Sequence, residues 1–126
     1  MRAQPRAARV NNVTLADAQQ SSEIVLGRLL VCSFPATVLF DSGASHSFIS
    51  QSFASANDLQ SELLSPPLVV HTPGSRCSLS VFVPNVEIGI QGVIFSASLV
   101  VLPRSDIDII LGMDWLVQYK AKIDCP

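Results

Sequence analysis

Ala36-Thr37-Val38-Leu39-Phe40-Asp41-Ser42-Gly43-Ala44-Ser45 is an apolar run that ends in an acid. Five residues suited to a buried strand, two of them β-branched, deliver one carboxylate to a loop of small side chains. A lone charge is expensive to bury unless it is paired or hydrogen-bonded, so an acid at the mouth of a core strand calls for a partner. The small residues that follow it suit a place where backbone packs closely or meets a ligand.

Outward from this stretch, the chain reads as a series of short strands. Residues 23–32 are β-branched and aliphatic enough for a strand, Ser33-Phe34-Pro35 for a turn, and residues 37–40 for the returning strand. Residues 46–49 continue in extended form. Ser50 stands ready to cap a short helix through Asn57, with Ile49, Phe53 and Ala56 on one side. Ser65-Pro66-Pro67 breaks the pattern, residues 68–72 resume it, and Pro73-Gly74-Ser75 turns the chain into residues 77–83. A turn at Pro84-Asn85 then leads to a hairpin of residues 86–91 and 93–102 around Gly92. Residues 103–106 form a loop, residues 107–111 a buried strand ending at Gly112, and residues 113–120 a short helix with Trp115, Leu116 and Tyr119 inward. Residues 121–125 close the chain as a last extended piece. Residues 1–22 read as a flexible tail, with a short ordered segment near Val13-Leu15-Ala16, and residues 23–126 as one domain. About eight strands, mostly hairpin-connected, with one or two short helices, predict an all-β fold closed into a β-barrel.

Composition limits the function classes. The 126 residues suit one domain, and 48% hydrophobic against 14% charged residues is too apolar for a disordered chain. Arg2, Arg6 and Arg9 hold three of the eight basic residues, so residues 11–126 carry five basic against ten acidic side chains. That balance offers no footprint for a phosphate backbone, and no nucleic-acid partner is expected. Cys32, Cys77 and Cys125 are odd in number and far apart, with His46 and His71 the two histidines. No metal site is expected from them, since structural zinc needs about four spaced ligands. Reduced thiols, no apolar run near the ~18–20 residues of a membrane span, and no secretory leader point to no membrane partner and an intracellular, cytoplasmic protein. No cofactor is implied.

Three hydrolytic chemistries fit parts of the chain. Gly43-Ala44-Ser45-His46-Ser47 has the start of a G-x-S-x-G nucleophile elbow but lacks the final glycine. A cysteine nucleophile would pair Cys77 or Cys32 with His71 or His46, yet nothing local activates either thiol. The third is aspartic protease chemistry, in which two carboxylates about 3 Å apart share one proton. This chain has one Asp-Ser-Gly, so the second carboxylate would come from another copy across a two-fold axis. On the residues alone, Asp-Ser-Gly is more often an ordinary turn.

A resemblance shifts that balance. Residues 36–49, Ala36-Thr37-Val38-Leu39-Phe40-Asp41-Ser42-Gly43-Ala44-Ser45-His46-Ser47-Phe48-Ile49, are similar to the active-site segment of retropepsin-like aspartic proteases, especially those of gypsy-type LTR retrotransposons found in plant genomes. Asp108-Ile109-Ile110-Leu111-Gly112-Met113-Asp114-Trp115-Leu116 resembles the signature that closes the same domains. Val69-Val70-His71-Thr72-Pro73-Gly74 stands in the place of the family's flap hairpin. The resemblance implies that Asp41 is the catalytic carboxylate. It implies that Ser42 hydrogen-bonds across a homodimer and that Gly43 lets the backbone approach Asp41 and the substrate. Ala44, Thr72, Pro73, Gly74 and Ile110 would contact an extended polypeptide substrate, Gly74 from the flap tip by strand addition. The implied activity is an aspartic endopeptidase, active as a homodimer and cleaving a retroelement polyprotein at apolar sites, with retroelement particles as one setting. A catalytically silent binding or dimerisation module of the same fold is the alternative, because a fold does not guarantee an activity.

Overall fold

The structure is a computed structural model and describes residues 6–9, 24–72 and 74–120. Among these, the elements in chain order are strands β1 (Arg6–Arg9), β2 (Ile24–Val31), β3 (Phe34–Asp41) and β4 (Phe48–Ser50), then helix α1 (Gln51–Ala56). Strands β5 (Glu62–Thr72), β6 (Ser75–Ile90), β7 (Val93–Leu102) and β8 (Ile109–Leu111) follow, and helix α2 (Met113–Gln118) comes last.

β2 and β3 form an antiparallel hairpin that closes on the pair Val31–Phe34. Its turn residues, Cys32 and Ser33, have φ of 50° and 69°. Positive φ at both central positions makes a type I′ turn, whose twist matches the strands it joins. The turn expected at Ser33-Phe34-Pro35 is thus displaced, and Pro35 lies inside β3 opposite Leu30. One step beyond the turn-closing pair, the alternating ladder asks no N–H of Pro35 towards β2.

Two further proline-rich points do not break the chain as expected. β5 runs through Ser65-Pro66-Pro67, with its register against β6 shifting between Leu63 and Leu68. β6 runs for 16 residues straight through Pro84-Asn85, with an irregularity between Val83 and Val86 and Asn85 at φ 54°. A bulge absorbs the extra residues and bends the ladder without ending it.

The strands make one eight-stranded sheet, in the order β1-β5-β6-β2-β3-β8-β4-β7, with an additional β6–β7 pairing. The mostly-β class and both short helices agree with the sequence reading. The closed barrel does not, and is corrected here. The first half of the long β6 pairs with β5 and its second half with β7 and β2. The β6–β7 hairpin folds part of the sheet back on itself, while β5 and β1 continue outwards as a flank that pairs with no further strand among the described residues. Arg6–Arg9, in the stretch read as a tail, is the outermost strand and pairs parallel with residues 68–71 of β5. The segment near Val13-Leu15-Ala16, Pro73 of the expected flap, and residues 121–125, expected to be extended, lie outside the described residues.

Two cores sit on either side of β3, whose successive side chains point to opposite faces. One gathers Val31, Ala36, Val38, Ile109, Leu111 and Trp115, with Phe40 packed against it. The other gathers Leu39, Ala44, Phe48, Ile110 and the base of the β5–β6 hairpin, Leu68, Val70 and Leu79. Trp115 and Leu116 are buried as expected. Tyr119 closes α2 onto β7: its ring lies 5.0 Å edge-on to Phe95, and its hydroxyl donates to the Ser96 carbonyl at 2.7 Å. In α1, the Ser50 hydroxyl accepts the Phe53 N–H at 3.1 Å, the cap read from the sequence. Phe53 and Ala54 face the core there, whereas Ala56, expected inward, is exposed.

Candidate active site

β3 carries Asp41 as its last residue, between β2 and β8. Ile24 pairs with Asp41, and Phe40 pairs with Leu111 in the parallel ladder to β8. Parallel strands buried on both faces need near-continuous apolar sequence, which Val38-Leu39-Phe40 and Ile109-Ile110-Leu111 supply. Asp41 is only 1% exposed. Its Oδ1 accepts the Gly43 N–H at 2.8 Å, and its carbonyl accepts the Ala44 N–H at 3.2 Å. The Gly43 N–H gives the buried carboxylate a local hydrogen bond, which offsets part of the cost of taking it out of water.

The loop after Asp41 rests on the start of α2. The Met113 N–H donates to the Ala44 carbonyl at 2.8 Å. Gly112 is there because nothing larger fits: a Cβ on it would meet the carbonyl oxygen of His46 and, at 2.6 Å, that of Ala44. The backbones of residues 44–46 and 112 touch, which explains why a glycine ends β8.

The remaining expected site residues fall in three places. Ser42 is exposed and Gly43 half-buried on the loop, while Ala44 and Ile110 are buried together beneath it in the second core. Thr72 pairs with Ser75 at the end of the β5–β6 hairpin, and Gly74 occupies its exposed tip with φ +76°, a conformation that favours glycine. The base of that hairpin shares a core with Ala44 and Ile110, so the sheet connects loop and hairpin through Leu68, Val70 and Leu79. Among the described residues, clefts of about 590, 310 and 400 Å³ open on the surface away from Asp41.

The nucleophile elbow and the Cys77–His71 pairing lose their geometry. Ser45 Oγ lies 3.1 Å from His46 Nδ1, but the loop enters strand β4, not the helix a nucleophile elbow requires. Cys77 pairs with Val70 and His71 with Arg76, so strand alternation turns the Cys77 and His71 side chains to opposite faces. Among the described residues, no group of three or more His, Cys, Asp or Glu could hold a metal, and no helix is long and apolar enough to cross a membrane.

Two residues that matter here were not singled out from the sequence. Ser47, 2% exposed, donates its hydroxyl to Asp114 Oδ1 at 2.6 Å and accepts the Gly112 N–H at 3.0 Å. Asp108 uses Oδ2 to accept the Thr37 N–H at 2.8 Å, tying the approach to β8 to β3. The signal available was the acids of Asp108-Ile109-Ile110-Leu111-Gly112-Met113-Asp114 flanking a buried strand, where a charge needs donors nearby.

The sequence signature of the family described as "Retroviral aspartyl protease" matches residues 5–126. The chain belongs to that family. EIAV protease, solved in complex with the inhibitor HBY-793, superposes with a TM-score of 0.61 at 23% identity over 79% of this chain and 91% of that one. The retroviral protease-like domain of Ddi1 from Leishmania major superposes with a TM-score of 0.57 at 19% identity, over 80% of this chain and 78% of its own. At these identities the two show a shared retropepsin-like fold. No curated protein sequence matches the chain.

Proposed function

We propose that this protein is an aspartic endopeptidase that works as a homodimer, with one Asp41 from each copy, and processes the polyprotein of a gypsy-type LTR retrotransposon. The observation that carries the proposal is the carboxylate of Asp41, buried at the end of a core strand and hydrogen-bonded by the Gly43 N–H in a chain of this family.

Two such carboxylates held side by side repel when both are ionised, so the pair keeps one proton. The ionised member takes a proton from a water molecule as its oxygen attacks the scissile carbonyl carbon. The protonated member gives its proton to the carbonyl oxygen, and a tetrahedral gem-diol forms. Collapse of that diol breaks the C–N bond, with a proton passed to the leaving nitrogen. Ser42 and Gly43 hold the paired loops, Ala44 and Ile110 form an apolar floor below them, and the hairpin ending at Thr72 and Gly74 grips an extended peptide by strand addition.

The test is cleavage of a peptide with apolar residues at the scissile bond by purified protein, beside Asp41→Asn. The amide cannot hold the shared proton, so Asp41→Asn should remove cleavage and leave the fold intact by circular dichroism. Unchanged cleavage by Asp41→Asn would refute the mechanism. A folded wild-type chain that dimerises and cleaves nothing would favour the silent dimerisation module.

A further inference from the structure

The loop bearing Asp41 leaves β3 at one end and enters β4 at the other, and its far end is fastened to the β8–α2 junction. Ser47 is the hub of that fastening. Its hydroxyl proton goes to Asp114 Oδ1 at 2.6 Å, its lone pair takes the Gly112 N–H at 3.0 Å, and its own N–H goes to Asp114 Oδ2 at 3.2 Å. Asp114 Oδ1 also accepts the Trp115 N–H at 2.7 Å. Three donors thus converge on the two oxygens of one carboxylate, and the Met113–Ala44 bond at 2.8 Å continues the link to within three residues of Asp41.

We infer that Asp114, acting through Ser47, is a positioning residue that sets the direction of the Asp41 carboxylate; this rests on the protease reading above. The three converging donors call for a side chain that only accepts. A carboxylate only accepts, so its two oxygens can take all three donors and orient the Ser47 hydroxyl proton, which frees the Ser47 lone pair for Gly112. An asparagine would set an NH2 group against either the Ser47 N–H or the pair formed by the Ser47 hydroxyl and the Trp115 N–H. Ser47 is buried while Asp114 is exposed, and both line the 310 Å³ cleft beside Trp115 and Tyr119. The acid keeps its contact with water on that side and needs no buried counter-charge. A release at Asp114 frees Ser47, then Gly112, and then the contact between residue 112 and residues 44–46 that holds the loop from below.

The experiment compares wild type, Asp114→Asn, Asp114→Ala, Ser47→Ala and the Ser47→Ala, Asp114→Ala double variant. It measures kcat and KM on the apolar peptide, thermal unfolding, and hydrogen exchange at the Gly43 amide by NMR. A displaced carboxylate should cost on the order of a hundredfold in kcat in Asp114→Ala, with KM little changed. Asp114→Asn should lose less, on the order of tenfold, because it keeps one acceptor oxygen. The Ser47→Ala, Asp114→Ala double variant should be no slower than the slower single one, since both remove the same link. The Gly43 amide should exchange faster in every variant while the β6–β7 amides keep their protection. A lower melting temperature with unchanged kcat in the folded protein, or additive losses in the double variant, would overturn the inference. If wild type cleaves nothing, the protease reading fails by itself; unchanged Gly43 exchange in both Asp114 variants then overturns the positioning role independently.

Discussion

Gly112→Ala is the sharpest perturbation of the geometry around Asp41. The backbone of Gly112 is extended, φ −97° and ψ −165°, so alanine meets no torsional objection there. The objection is space. The new methyl would lie 2.6 Å from the Ala44 oxygen and nearer still to the His46 oxygen, where ordinary contact begins near 3.4 Å. Both obstacles are backbone atoms, which cannot swing aside as a side chain does. The two segments must separate by about 0.8 Å or more, a typical overpacking cost of about 1–3 kcal/mol. That separation also strains the Met113–Ala44 and Gly112–Ser47 hydrogen bonds, worth about 1 kcal/mol each. The sum, about 3–5 kcal/mol, is a large part of the ~5–15 kcal/mol that stabilises a domain. For a chain of this size it should lower the melting temperature by about 12–20 °C. Thermal unfolding followed by circular dichroism at fixed protein concentration measures it. Gly27→Ala is the control: nothing lies within 4 Å of a Cβ placed there, and mid-strand glycine costs conformational entropy. That variant should be neutral or up to about 1 kcal/mol more stable. A Gly112→Ala protein melting within about 3 °C of wild type would refute the close-approach reasoning.

Asp108→Ala leaves the partly buried Thr37 N–H without its 2.8 Å acceptor and should cost about 1–3 kcal/mol, read as a lower urea midpoint; an unmoved midpoint would show that the bond contributes nothing. Ser50→Ala removes the cap that takes the Phe53 N–H and should cost about 1 kcal/mol, and Ser50→Thr, which keeps the capping hydroxyl, should recover much of it. Specific activity should fall on dilution as the dimer dissociates, in step with the mass measured by sedimentation. Activity per chain that holds constant while the sedimenting species is a monomer would contradict the one-acid-per-chain mechanism.

Much of this arrangement was legible along the chain because it is local. The β2–β3 hairpin, the Ser50 cap, the Gln91-Gly92 hairpin and the burial of Trp115 and Leu116 all follow from residues within a few positions of one another. Local signals misled at the prolines. Pro35, Pro66, Pro67 and Pro84 each read as a break, yet each lies inside a strand at a position where a bulge or the ladder's alternation needs no donor. The closed barrel was inferred by counting hairpins, and hairpin count does not say whether the outer strands find partners. β1, from a stretch with no strand-like apolar content, lies at the outer end instead.

By itself, the sequence determined that an acid follows a core strand, that small residues surround it, and that a second buried strand ends in glycine. These are properties of adjacent residues, set by propensity and periodicity. Only the tertiary structure decided what those features are for one another. Gly112 is required by backbone 66 residues away at His46, and Ser47 matters because Asp114 reaches it across 67 positions. Such contacts depend on how β3, β4 and β8 pair, and no local pattern encodes a distance between strands. The strand that carries Asp41 was readable from its own side chains; the platform that aims it exists only once the sheet has formed.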